Sequence, residues 1–174
     1  LVERTPVLGG VAGRIQTTMG GDDVRSFVKS LVGRVESHSN IDIHTQAEVA
    51  ELSGFVGNFN TRIVLKETGD ILDIQNGVAI IATGGEEVKH LEYLYGDDPR
   101  VMTLMEMEDA LTKDDWSGDW GSTVLIGCVG SRETYRPYCS RICCADMVKS
   151  ALMLKKANPD ADVYVLYRDI RTYA

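Results

Sequence analysis

Cysteine is absent from most of this 174-residue sequence. All four cysteines lie within the seventeen positions from 128 to 144, and the other 157 residues contain none. That distribution argues against a disulfide framework that ties distant parts of a fold together. Cysteines gathered at one place indicate metal or redox chemistry instead.

Long apolar runs, a secretory leader and blocks of basic residues are also missing. No unbroken apolar stretch approaches the roughly 18 residues that a membrane span needs. The net charge is −8, with 26 acidic against 18 basic residues, which argues against a nucleic-acid partner. We therefore expect a cytoplasmic globular protein without a membrane span.

An initiator methionine and a G-x-G-x-x-G phosphate loop are missing as well. The sequence opens on LVERTPVLGG, in which Leu1 to Glu3 are typical of the end of a buried strand and Gly9 and Gly10 of a flexible loop. In a dinucleotide-binding domain the phosphate loop would precede Glu3 by about 20 residues. We expect the chain to be a piece of a longer protein.

The periodicity of apolar residues predicts alternating helices and strands. Helices are expected at 22–35, at 86–95, from Thr103, where Glu106 completes a capping box, and from Cys139. Strands are expected at 41–52, at 61–66 and 70–75 as an antiparallel meander, at 78–82, at 123–127 and at 162–168. The run at 78–82, VAIIA, is continuously apolar and predicts a strand covered on both faces.

This order of elements predicts an α/β fold in two parts. The elements follow the order expected of an FAD domain: Glu3 after a strand, a glycine loop, a meander and an apolar strand that ends in ATGG. In such a domain the acidic residue holds the ribose of FAD. A glycine after a strand is also ordinary turn chemistry. We predict a partial Rossmann-like FAD/NAD(P)-binding domain over 1–113, a linker over 114–121, and a βαβ unit opening a second dinucleotide-type domain over 122–174.

The four cysteines, Cys128, Cys139, Cys143 and Cys144, are spaced C-x10-C-x3-C-C. The first is expected at the carboxyl end of a strand, the edge where open α/β sheets bind ligands, and the others on or just before the first turn of the next helix. On a helix, Cys139 and Cys143 would share one face. Four thiolates suit the corners of an iron–sulfur cube.

Three alternatives to a cluster stay open on spacing alone. Zinc also takes four cysteines, but its usual knuckles are C-x2-4-C, and the adjacent Cys143 and Cys144 are awkward around one small ion. Those two thiols could instead be buried structural residues or a redox-active dithiol. The dispersed histidines, His38, His44 and His90, are not expected to be ligands.

Several motifs resemble the family of heterodisulfide reductase A subunits, which are iron–sulfur flavoproteins. They are IGCVGSRE, RPYCSRICC and KSALMLKKANPDADVYVLYRDIRTY across 126–173, together with VERTPVLGG and AIIATGG nearer the start. The resemblance implies a thioredoxin-reductase-like core, in which an interrupted FAD domain precedes a domain that carries a 4Fe-4S cluster. The ferredoxin-like cysteine runs of full-length members are absent here.

The resemblance also implies site residues and a function. The cluster ligands would be Cys128, Cys139, Cys143 and Cys144, and the FAD contacts Glu3, Gly9, Gly10, Val49 through its backbone, Thr83 and Gly84. The parent protein would relay electrons between FAD, the cluster and other subunits of an electron-transfer complex. The resemblance is compatible with an oligomer. The isolated piece would be inactive. The rival interpretations are a zinc- or thiol-stabilised docking module without catalysis and a disulfide reductase that uses Cys143 and Cys144.

Overall fold

The computed structural model describes residues 1–112 and 120–172. The chain divides into two compact units: Leu1–Gly13 with Arg25–Gly85, and Arg14–Val24 with the chain from Glu86 onward. Residues 114–119 of the predicted linker, 114–121, lie outside the described residues, so the predicted domain boundary stays a prediction. Within the described ranges, no helix has the length and apolar character needed to cross a membrane.

The first unit consists of one helix and one antiparallel sheet. A 3-10 turn at Gly10–Gly13 precedes α1 (Val24–Glu36), where the sequence predicted a helix. Strands β1 (Ala47–Phe55), β2 (Asn58–Leu65) and β3 (Ile71–Asn76) then form the predicted meander in the order β1-β2-β3. Ile63 of β2 lies opposite Val49 and Leu72, and its side chain is buried in the middle of the sheet.

The opening segment of the chain lies beside the approach to β1. Val2 and His44 form a parallel bridge, and the Glu3 amide donates to the His44 carbonyl over 2.9 Å. The Ala47 amide in turn donates to the Glu3 carbonyl over 3.0 Å. The strand predicted from residue 41 therefore begins only at Ala47. Residues 41–46 are bonded to the opening segment at isolated positions, and these bonds do not form a continuous ladder.

Two predicted elements in the middle of the chain are wrong. Residues 78–82 form no strand, and Ile80 and Ile81 are 88% and 83% exposed. A strand needs neighbours for its backbone groups, and no strand in the described ranges pairs with this stretch. Residues 86–95 contain only a 3-10 turn at Glu92–Leu94, because Tyr93 adopts a left-handed φ of 58° that interrupts a right-handed helix.

The second unit places one helix over a two-stranded parallel sheet. Strands β4 (Ser122–Ile126) and β5 (Asp162–Leu166) pair in parallel, and α3 (Cys143–Ala157) connects them in the predicted βαβ order. Helix α2 (Leu104–Leu111) packs against α3. The buried core of this unit is formed by Met107, Leu125, Cys144, Met147 and Leu154.

Helix α2 begins with the capping box that the sequence predicted. The Glu106 amide donates to the Thr103 hydroxyl, and the Thr103 amide donates to the Glu106 carboxylate over 3.0 Å. The Thr103 hydroxyl also donates to Glu87 over 2.7 Å. Burial alone would raise the pKa of Glu106, but bonds from Lys89, Thr103 and Tyr95 lower that pKa to about 2.

Replacing Thr103 by alanine is expected to lower the free energy of unfolding by about 1 kcal/mol, the usual cost of losing an N-cap hydroxyl. Urea denaturation followed by circular dichroism measures the change. Thr112→Ala, at the other end of α2, is the matched control, because the Thr112 hydroxyl donates to the Asp109 carbonyl in the last turn and does not occupy the N-cap position. Equal losses for the two variants would contradict the assignment of the cap.

A buried ion pair joins α2 to α3. The Lys149 ammonium is 2.7 Å from a Glu108 carboxylate oxygen and 3.0 Å from an Asp146 oxygen, and the side chains of Lys149 and Glu108 are 9% and 3% exposed. The other Glu108 oxygen accepts the Gln16 amide over 2.7 Å. Burial alone would lower the pKa of Lys149, but the bonds to Glu108 and Asp146 raise it.

Candidate functional site

The cysteines lie where the sequence predicted, with one exception. Cys128 follows the carboxyl end of β4, and Cys143 and Cys144 are the first two residues of α3. Cys139 precedes the helix by four residues, because Arg141 adopts a left-handed φ of 62° and α3 begins only after it. The expectation that Cys139 and Cys143 share a helical face is therefore wrong.

The four sulfurs differ in their surroundings. All are free thiols, with Cys128 and Cys144 buried and Cys139 and Cys143 partly exposed. Burial raises the pKa of the Cys144 thiol, and interactions with the Cys143 and Cys128 thiols raise it further. Cys144 thus interacts with two of the other sulfurs. The Cys139 sulfur accepts the Arg141 amide over 3.3 Å.

The four cysteines are the residue type that binds an iron–sulfur cluster, although their positions in this structure do not form a metal site. Over residues 1–112 and 120–172, no three His, Cys, Asp or Glu side chains are placed to hold a metal ion. Four cysteine thiolates are nevertheless the ligand set of a 4Fe-4S cluster, and Cys128, Cys143 and Cys144 lie just after the end of β4 and at the start of α3. Cys139 lies on the loop between β4 and α3.

Charged residues that the sequence analysis did not select lie next to the Cys128 and Cys144 sulfurs. A guanidinium nitrogen of Arg132 lies 4.0 Å from the Cys128 sulfur and also pairs with the Asp169 carboxylate. The Cys144 thiol donates to the Asp169 carbonyl over 3.8 Å, and the Arg171 backbone bonds the same thiol. Arg132 could have been suspected from its position four residues after Cys128, but no sequence signal links it to Asp169.

His90 also lies beside the cysteine loop. A Cβ atom added at Gly130 would be only 1.7 Å from an imidazole carbon of His90, so the ring lies directly against the Gly130 backbone. Gly130 has a left-handed φ of 64°, which glycine adopts without strain. No sequence pattern indicates this contact, because the two residues are far apart along the chain.

The predicted FAD residues at the start of the chain lie in the first unit. The Glu3 carboxylate accepts two hydrogen bonds from Thr5, through its amide and hydroxyl, and these lower the pKa of Glu3. Gly9 has φ of 111° and lies against α1, since an added Cβ would be 2.9 Å from Val28 Cγ1. Gly10 has φ of 48° and borders open space. Gly9 therefore also has a packing role.

The remaining predicted FAD residues are exposed. Val49 lies in β1 beside a bulge that shifts the register between Val49 and Glu51. Thr83 and Gly84 lie in an exposed stretch without regular structure, and Gly84 has a left-handed φ of 67°. The structure thus brings Glu3 to the approach of the strand that contains Val49, whereas no described contact joins Thr83 and Gly84 to them.

Comparisons with known proteins extend over almost the whole chain. No family model matches it. The chain is 25% identical to an iron-sulfur A subunit of the CoB-CoM heterodisulfide reductase of Methanopyrus kandleri, over 99% of this chain and 40% of that protein. It is 38% identical to the A subunit of the H(2)/formate:CoB-CoM heterodisulfide,ferredoxin reductase of Methanococcus maripaludis, over 59% of this chain and 18% of that protein.

A solved structure is also similar. The crystal structure of L-proline dehydrogenase from P. horikoshii matches with a TM-score of 0.52 and 17% identity, covering 95% of this chain and 29% of that chain. At this identity the likeness concerns the fold alone. The predicted mixed α/β fold, with its antiparallel and parallel sheets, is confirmed.

These findings relate the chain to one part of a longer protein. The resemblance predicted from the motifs is confirmed: the chain is homologous to part of the A subunit of heterodisulfide reductase. It spans about 40% of the length of the curated relatives that it matches along its whole extent. The span aligned with the Methanopyrus protein is 268 residues against 174 in this chain, so that relative has residues within the matched region that this chain lacks.

Proposed function

We propose that this chain is the electron-relay part of an oxidoreductase, and that it holds a 4Fe-4S cluster on Cys128, Cys139, Cys143 and Cys144. The observation that carries the proposal is the gathering of every cysteine of the chain at the end of β4 and the start of α3. The name of the Methanopyrus relative, an iron-sulfur subunit, supports it. In the full-length protein, electrons would pass between FAD, this site and partner subunits in the cytoplasm.

The residues of the chain have distinct parts in this proposal. A bound cluster supplies one-electron transfer, whereas the protein supplies ligands, orientation and exclusion of water. Cys128 and Cys144 are buried and would fix the position of the group against the core. Cys143 and Cys139 are partly exposed and would close the site from the solvent side.

The proposal assigns FAD to the longer protein. Glu3 would accept hydrogen bonds from the ribose hydroxyls, and the Val49 backbone would meet the adenine, as the resemblance implies. Gly9, Gly10, Thr83 and Gly84 would allow close approach of the cofactor to the backbone. Because this sequence contains no G-x-G-x-x-G loop, we expect the isolated chain to lack FAD and activity.

Anaerobic reconstitution with iron and sulfide tests the proposal on the chain as it is. We expect about four iron and four sulfide per chain and a brown protein, since one cube would be held by four cysteines. In Cys143→Ala the retention of iron should be at least about tenfold weaker, because one corner of the cube loses its ligand.

Ser140→Ala is the matched control, because it changes a side chain in the same loop without removing a sulfur. It should keep the full iron content. Iron near zero in the unchanged chain, or iron unaffected by Cys143→Ala, would refute the proposal. A colourless protein with about one zinc per chain would favour the docking module instead.

A further inference from the structure

A positive charge lies beside the buried end of the cysteine site. The Arg132 guanidinium is 4.0 Å from the Cys128 sulfur, near the outer limit for a hydrogen bond to sulfur, and its side chain is only 24% exposed. Asp169 pairs with both Arg132 and Arg171. Within this trio, two guanidinium groups face one carboxylate, so the net charge of the trio next to the sulfurs is positive.

The backbone of Arg132 is fixed from two sides, which holds its side chain at this position. Its amide donates to the Tyr138 carbonyl over 3.2 Å, and its carbonyl accepts a hydrogen bond from Arg168 over 2.6 Å. The first bond lies within the loop after β4, and the second joins that loop to the segment that follows β5. The guanidinium is therefore a preorganised charge and not a freely moving surface group.

We propose that the charge of Arg132 raises the reduction potential of the iron–sulfur group held by the cysteines. The inference rests on the proposed function and names a further residue that acts on it. Reduction adds one electron to the bound group, without making or breaking a bond. A fixed positive charge stabilises the more negative, reduced form, and contacts to ligand sulfurs act in the same direction. Because arginine keeps its charge throughout the working pH range, this effect needs no proton transfer.

The test is a redox titration of the anaerobically reconstituted chain with dithionite as the electron donor, followed by EPR. We expect Arg132→Gln to shift the reduction equilibrium about tenfold toward the oxidised form, which lowers the midpoint potential of the one-electron couple by about 59 mV. Arg132→Lys, which keeps the charge, should recover most of the difference. Arg136→Gln removes the same charge elsewhere in the same loop and should leave the potential nearly unchanged.

A second variant keeps the test decisive if Arg132→Gln fails to take up iron. Asp169→Asn removes the negative charge of the trio and should shift the potential upward, opposite in sign to Arg132→Gln. Iron and sulfide are measured on every sample. Full iron content with an unchanged potential in Arg132→Gln, or a downward shift in Asp169→Asn, would overturn the role of Arg132 alone. No iron in the unchanged chain would overturn the proposed function and this inference together.

Discussion

Replacing Glu108 by alanine is expected to lower the free energy of unfolding of the second unit by about 3–5 kcal/mol. The substitution leaves the Lys149 ammonium, 2.7 Å from Glu108 in the intact protein, without its main partner in a buried position. Asp146 remains 3.0 Å from the Lys149 ammonium and compensates part of its charge. The Gln16 amide also loses its acceptor. Urea denaturation at pH 7 measures the loss.

The neighbouring residue supplies the matched control. Asp109 pairs with Arg14 on the surface, where the two side chains are 32% and 46% exposed, so Asp109→Ala should cost only about 0–1 kcal/mol. The double variant Glu108→Leu with Lys149→Met removes both buried charges and should lose much less than Glu108→Ala. If the double variant is the less stable of the two, burial of an unpaired charge is not the cause.

The pH dependence of this ion pair has a definite sign. Because the pKa of Lys149 is raised, its contribution to stability is complete below the pKa of an unfolded lysine, about 10.4, and is lost as the pH rises through the folded value. The contribution of Lys149 to the stability of the unchanged protein should accordingly be the same at about pH 7 and pH 9.

Replacing Met147 by alanine is expected to lower the free energy of unfolding by about 2–5 kcal/mol, the range for emptying a core position. Met147 is 1% exposed and belongs to the core of the second unit. Its side chain also lies against Gly127, where an added Cβ would be 2.7 Å from the Met147 methyl carbon. The cavity would therefore open directly beneath the residue that precedes Cys128.

Two comparisons on α3 isolate the effect of that cavity. Met147→Leu keeps most of the volume and should cost less than about 1.5 kcal/mol. Leu152→Ala removes a side chain that is 59% exposed and should change stability by less than about 0.5 kcal/mol. Equal losses for Met147→Ala and Leu152→Ala in urea denaturation would mean that the emptied core position is not the cause of the loss.

The sequence predicted elements well where the signal is local. Helical periodicity located α1, the Thr103 and Glu106 capping box located the start of α2, and alternation located the meander. These signals depend on neighbours a few residues away, so they do not require knowledge of the rest of the fold.

Predictions failed where an element depends on partners distant in the chain. Residues 78–82 are apolar enough for a buried strand, but a strand needs others to pair with. The start of α3 moved from Cys139 to Cys143, because the left-handed backbone at Arg141 carries no composition signal. The contacts of Arg132 with Asp169 and of His90 with Gly130 join residues more than thirty positions apart, which spacing alone cannot reveal.

Under the proposed function, one property of the first turn of α3 would link cluster loading to folding. Its N-cap residue, Ile142, makes no side-chain capping bond, so the opening amides lack the partner that a Ser or Asp would provide. Anionic sulfur ligands at Cys143 and Cys144 would sit at this uncapped, positively polarised end. The helix would then gain its missing cap only on loading, so the melting temperature of the chain should follow its metal content.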